Sequence, residues 1–260
     1  MSRSNLNRRQ LLARTAAAAG GLALAGTTSG LAGPATSAIA AAAAKPRIYT
    51  RAEWSARPPD FAAQIINRPD HLVVHHTASD NVTDFSLNQA FKLSHWIQDL
   101  HQLTNGWGDT GNQLTISRGG YIMEGRNRTL EAIGQGKNVL GAQTANNNNS
   151  HTLGIENEGI YVSAQPPQWL WDSLVDTLAW LCGVYDLDPH QSIVGHRDYV
   201  ATQCPGDVFY SLLPALRNDV ADHLGLRRTE RTAPLIRSGL PGPAATLDHG
   251  PALGPGEHFH

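Results

Sequence analysis

Apolar positions along the chain fall into short blocks whose spacing switches between two and three-to-four. Leu72-Val73-Val74-His75 is a β-branched run closed by polar residues, which predicts a buried strand. Over residues 85–103, Phe91, Trp96, Ile97 and Leu100 recur at near-helical intervals and predict a helix. Residues 114–117 and 121–123 flank Gly119-Gly120, the signature of a hairpin. Residues 146–149 read as a polar loop and 152–156 as a short strand. Residues 169–185 predict a helix with Leu170, Leu174, Leu178 and Leu181 on one face, started by Pro166-Pro167. Ile193-Val194 reads as a strand, and residues 208–224 as a last helix with Leu212, Leu216, Val220 and Leu224 four apart. Strands and helices alternate irregularly, which predicts an α/β fold: a mixed central β-sheet flanked by helices.

The two ends of the chain lack this patterning. Arg8-Arg9 precede a soft apolar run over residues 11–31, broken by Gly20, Gly21 and Gly26. Residues 1–44 therefore read as a twin-arginine export signal, removed near Ala38-Ile39-Ala40, because the run is too glycine-rich to span a membrane well. Beyond Arg227 the chain is rich in Pro and Gly without apolar period, so 227–260 reads as a flexible tail. Its His249, His258 and His260 read as incidental surface residues. Residues 45–226 remain as a single domain, long enough for a proper core. The expected destination is outside the cell or on its wall.

Composition narrows the function. A hydrophobic content of 41% against 16% charged residues fits a globular chain rather than a disordered or membrane-spanning one. The net charge of −2 becomes more acidic once residues 1–44 are set aside, with 16 basic against 22 acidic residues. That argues against a nucleic-acid partner, which needs a basic face. Two cysteines would allow one disulfide. Cys182, however, sits in a helical stretch and reads as a small buried apolar residue.

Two segments carry metal-binding residue types. One is Val74-His75-His76-Thr77-Ala78 at the end of a predicted strand. The other is Gly195-His196-Arg197-Asp198, followed by Thr202-Gln203-Cys204-Pro205-Gly206. Imidazole and thiolate are the usual ligands of zinc, and a catalytic zinc keeps three of them and an open position. Strand alternation places His75 and His76 on opposite faces, so one of the two reaches the metal. The residues alone do not say which.

These segments stand in a series that also holds Arg51-Ala52-Glu53-Trp54, Ile97-Gln98, His101, Gly106-Trp107-Gly108-Asp109-Thr110-Gly111, Glu124-Gly125-Arg126 and Leu153-Gly154-Ile155. Together and in this order they resemble the zinc N-acetylmuramoyl-L-alanine amidases and peptidoglycan recognition proteins, over Ile48 to Leu224. The resemblance implies Zn²⁺ held by His75, His196 and Cys204, and hydrolysis of the bond between N-acetylmuramic acid and L-alanine. Some relatives carry serine in place of that cysteine and only bind peptidoglycan. Many relatives have a tyrosine where this chain has Asn112, followed by Gln113, and neither amide can act as a base near neutral pH. Gln143 stands where relatives often have histidine. Gly154-Ile155-Glu156 resembles another branch, acting on anhydro-muropeptides, in which that glutamate is the base; Glu158 is a reserve. Thr202 is expected near the developing oxyanion, or as a turn residue. Asn112, Gln143 and Arg126 are expected to touch substrate. Arg197 can equally form a structural ion pair. The competing expectation is a protein that binds muropeptides without cleaving them.

Overall fold

The computed structural model describes residues 43–226. The expected export signal and tail lie outside these residues, apart from Ala43 and Ala44. Eight strands are described: β1 Ile48–Tyr49, β2 Ile65–Ile66, β3 His71–His76, β4 Leu114–Ile116, β5 Ile122–Glu124, β6 Asn138–Val139, β7 Thr152–Asn157 and β8 Ile193–Gly195. Five α-helices join them: α1 Leu87–Asp99, α2 Thr129–Gly134, α3 Gln168–Tyr185, α4 Pro189–Ser192 and α5 Asp207–His223. The main sheet has the order β1-β5-β4-β7-β3-β8, and β2 pairs with β6 apart from it. All its pairs are parallel except the β4–β5 hairpin, so the sheet is mixed, as expected.

Register sorts the side chains into rows across three strands. Leu114, Ile155 and Val74 are aligned on β4, β7 and β3. All three are fully buried and join Leu170, Leu174, Leu178 and Leu181 of α3 and Phe209, Leu213, Leu216 and Val220 of α5 in one core. Burying each such side chain is worth about 1.5–3 kcal/mol, so this face holds much of the fold. The next row is Thr115, Glu156 and His75. Side chains alternate along a strand, so this row faces the other way. The opposite face also carries Met123 of β5, packed with Ala90 of α1 and with Trp54. It carries Val73 of β3, packed with Val194 and Tyr199. The sheet thus has one apolar face under α3 and α5 and one mixed face under α1.

Helix faces differ in detail from the sequence pattern. In α5 the buried positions include Phe209, Leu213, Leu216 and Val220, with Arg217 and Ala221 beside them, while Leu212 is half-buried. A strict four-residue spacing drifts around a 3.6-residue helix, and alternating three and four keeps the stripe straight. In α1, Ala90, Leu93 and Ile97 are buried, whereas Trp96 is 44% exposed. The helix starts at Ser86, whose hydroxyl accepts from the Gln89 N–H at 3.2 Å, and not at Phe85. It ends in a π-helical turn, Leu100–Thr104. Both cysteines are buried, Cys182 inside the core as expected. No helix among the described residues is long and apolar enough to cross a membrane.

Candidate functional site

The C-terminal end of β3 delivers His75 and His76 to opposite faces. His76 turns toward the helix side, where its Nδ1 accepts from the Tyr161 N–H at 3.3 Å. His75 turns to the mixed face, beside Glu156 of β7. The Asn157 side-chain amide donates to the His75 carbonyl at 2.8 Å and fixes the strand end.

Two further donors arrive from the segment after β8. His196 opens a 3-10 turn, His196–Asp198, closed by the Asp198 carboxylate accepting from the Gly195 N–H at 2.8 Å. Its ring lies 4.5 Å from that of His75, centroid to centroid. Cys204 follows a turn in which the Thr202 hydroxyl oxygen accepts from the Cys204 N–H at 3.1 Å. Arg197 pins the same loop: it pairs with Asp207 at 2.8 Å and donates to the Gln203 and Cys204 carbonyls. Arg197 is therefore a structural residue here.

The three donors converge. One ligand atom each from His75, His196 and Cys204 lies within 4.8 Å of the others, and all three residues are buried. Cys204 Sγ is 3.7 Å from His75 Nδ1 and accepts from the His76 backbone N–H at 3.4 Å. Ligands 2.0–2.3 Å from a tetrahedral zinc sit about 3.5 Å apart, so the spacing fits a shared ion. Burial, with the neighbouring His196 and His76, holds the His75 imidazole well below its usual pKa. Burial, then His76, lowers His196 to about 3. Both rings are thus neutral, the form that ligates metals. Neither nitrogen of His196, nor Nε2 of His75, has a hydrogen-bond partner among the described residues. A buried polar atom left so costs about 1–3 kcal/mol, which a bound cation would relieve. Two imidazoles and a thiolate are a zinc donor set.

Glu156 is fully buried, with an oxygen 3.9 Å from His75 Nδ1. Glu158 lies on the same side, as alternation predicts, but serves another purpose. Its carboxylate accepts from the Gln89 amide at 2.8 Å and the Arg118 N–H at 2.7 Å, tying α1 to the hairpin. Burial raises its pKa against those hydrogen bonds. It lines a groove of about 420 Å³ with Ser79, Lys92 and Trp96.

Asn112, Gln143 and Arg126 are 0%, 0% and 7% exposed. The Asn112 amide donates to Leu114 O and Thr115 Oγ1, both at 2.9 Å, next to Glu156 in the row. Gln143 lies over Gly154, where a Cβ would come within 2.3 Å of its Cγ, so only glycine fits there. Arg126 donates to the Thr110 carbonyl at 2.9 Å, beside His101. All three side chains are engaged within the protein. His101 itself accepts from the Gly111 N–H at 3.0 Å and stacks on Trp107 at 4.6 Å, setting the segment that leads into Asn112. Thr115 and Asn157 stand at the site without a sequence signal of their own; only the register of β4, β7 and β3 brings them there.

Proteins similar to this chain carry the names of amidases and of peptidoglycan recognition proteins. The family described as N-acetylmuramoyl-L-alanine amidase matches residues 66–207. A human N-acetylmuramoyl-L-alanine amidase is 35% identical over 173 residues, covering 65% of this chain and 28% of the human protein. The chain therefore spans little more than a quarter of that relative. Peptidoglycan-recognition protein LB of Drosophila melanogaster is 29% identical over 194 residues, 73% of this chain and 77% of the fly protein. The solved Drosophila PGRP-LB superimposes with a TM-score of 0.56 at 28% identity, over 65% of this chain and 93% of that one. A PGRP-LB mutant solved in complex with tracheal cytotoxin superimposes equally well, with a TM-score of 0.56. With more than half of its residues inside that match and the same fold around them, the chain belongs to the N-acetylmuramoyl-L-alanine amidase family.

Proposed function

We propose that this chain is a zinc-dependent hydrolase of the amide bond between N-acetylmuramic acid and L-alanine in peptidoglycan. The observation that carries the reading is Glu156: a fully buried carboxylate in register with His75, 3.9 Å from its ring, beside two more metal-type donors. A binding surface has no need of a buried acid at that place.

His75, His196 and Cys204 would hold the ion. Bound there, zinc would supply Lewis acidity and an acidic water. Glu156 takes the proton of the attacking water and returns it to the departing amine of L-alanine. The Thr202 hydroxyl, whose oxygen accepts from the Cys204 N–H, would turn its O–H toward the oxyanion in this reading. Asn112 and Gln143 shape the floor that orients the lactyl carbonyl. Residues 45–226 form the catalytic domain in this reading, exported by the twin-arginine route and acting outside the cell or on its wall. The relatives named for peptidoglycan recognition, and the complex with tracheal cytotoxin, support muropeptides as the ligand class.

A second reading rests on Asn112. Its amide occupies the expected tyrosine position and is committed to Leu114 and Thr115. If catalysis required a phenol there, the chain would bind muropeptides without cleaving them. The deciding experiment follows new L-alanine amino groups in purified peptidoglycan digested by the mature protein. Release that stops on chelation and returns with zinc supports the hydrolase; release unaffected by chelation removes the metal from the account.

A further inference from the structure

We propose that Asp70, His71 and His151 form a second, exchangeable site for a divalent transition cation of the zinc class. The site would lie on the mixed face of the sheet, at the opposite end of β3 from His75. This inference does not depend on the hydrolase reading.

Topology brings the three residues together. His71 opens β3, and His151 immediately precedes β7, which pairs with it through His71 and Thr152. Asp70 precedes His71, and its N–H donates to the His151 carbonyl at 2.9 Å. The Nδ1 atoms of both imidazoles converge on one carboxylate oxygen, Asp70 Oδ1, at 2.6 and 2.7 Å. One ligand atom from each residue lies within 4.8 Å of the others. His71, Val73 and His75 share a face by alternation, so the two clusters are about 13 Å apart along the strand.

The donor set has the chemistry of a cation site. Two imidazole nitrogens and one carboxylate oxygen leave further coordination positions open to water or a ligand oxygen. Tyr199 stands edge-on to both rings, at 6.0 and 5.8 Å. The side chains of His71, His151 and Asp70 are 18%, 29% and 51% exposed, which admits an ion from solution, in contrast to the buried trio. Partial burial raises the Asp70 pKa, but hydrogen bonds from His71 and His151 outweigh it and hold it at about 2. The carboxylate is therefore already ionised at neutral pH.

His151 makes the case sharper. Its Nδ1 faces Asp70 at 2.7 Å and its Nε2 faces the Asn148 side-chain oxygen at 3.4 Å. A neutral imidazole carries one N–H and satisfies one of these acceptors. A cation at Nδ1 moves the proton to Nε2 and satisfies both, with no proton released. Donors around a tetrahedral zinc sit about 3.3 Å apart, so each Nδ1–Oδ1 contact must open by about 0.6 Å. Rotation of a half-exposed carboxylate and two partly exposed rings supplies that.

The test is a Zn²⁺ titration of the full chain by calorimetry, repeated with Co²⁺ and absorption spectroscopy. Wild type should take up two equivalents, the second more weakly. His151→Gln should take up one and keep the thiolate-to-cobalt charge-transfer band that Cys204 would give. Cys204→Ser should also take up one, without that band. Thermal melting checks that each variant folds; if His151→Gln does not, Asp70→Asn replaces it. A wild type that shows no His151-dependent equivalent overturns the proposal. So does a second equivalent that survives both His151→Gln and Asp70→Asn, which would belong elsewhere, such as the tail histidines. Loss of the Cys204-dependent equivalent alone would instead count against the buried zinc site and leave this one standing.

Discussion

His75 and His76 are neighbours in the chain and both are fully buried, yet they meet different surroundings. His76 faces the helix side, where its Nδ1 accepts from the Tyr161 N–H. His75 faces the other side, toward Glu156, His196 and Cys204. The same contrast runs through the row before it. Val74, Ile155 and Leu114 interlock with α3 and α5, where shape and volume decide. His75, Glu156 and Thr115, one residue on, are buried polar groups whose protonation and partners decide. One face of the sheet holds the fold; the other uses that rigidity to keep three donors and an acid in place.

The strongest way to break this contrast is at the metal donors. Cys204→Ser should lose tight zinc binding and bring turnover to background while the melting transition stays cooperative, read by metal analysis and amine release. Glu156→Gln should lower kcat by about 10²–10⁴-fold with zinc retained, the usual contribution of a general acid–base group. On the other face the expected sign reverses. Leu178→Ala should cost about 2–5 kcal/mol of stability in denaturant titration and leave the activity of the folded fraction nearly unchanged. Glu158→Gln sits on the mixed side but serves a structural pair, so it should lower stability by about 1 kcal/mol and leave kcat within a small factor.

A last effect is in the pH dependence. Burial, with the charge of Arg126 adding to it, lowers His101 from 6.5 to about 3. Below about 6.5 the unfolded chain takes up a proton that the folded chain refuses until about 3. This contribution is complete above the unfolded value and is lost as pH falls toward the folded one, at up to about 1.4 kcal/mol per pH unit. His101→Gln should flatten the fall in denaturation midpoint between neutral and mildly acidic pH; an unchanged slope would place the proton uptake elsewhere.

The apolar face was largely legible in the sequence because long periodic segments announce themselves. Residues 169–185 predicted α3 to within one residue of Gln168–Tyr185, and Gly119-Gly120 marked the turn between β4 and β5. Two-residue strands such as Ile48–Tyr49 and Ile65–Ile66 carry no period and were not legible. Neither was the π-helical end of α1, where pattern alone cannot tell one helical winding from another. At the site, residue type and order singled out His196, Cys204 and the pair His75-His76, while Glu156 was marked by the resemblance to known amidases. The choice of His75 over His76 needed the resemblance to known amidases, since alternation only separates the pair. Thr115, Asn157 and the Asp70–His71–His151 cluster depend on which strands pair and in what register. A sequence read in one dimension does not hold that information.

The most direct measurement compares zinc-loaded wild type with Glu156→Gln for release of L-alanine amino groups from peptidoglycan, with muropeptide affinity measured on the same samples. The account predicts equal zinc content and similar affinity, with release slowed about 10²–10⁴-fold in the variant. Undiminished release by Glu156→Gln would remove Glu156 as the base. No release by folded, zinc-loaded wild type that still binds muropeptide would make the chain a receptor, with Asn112 as the reason.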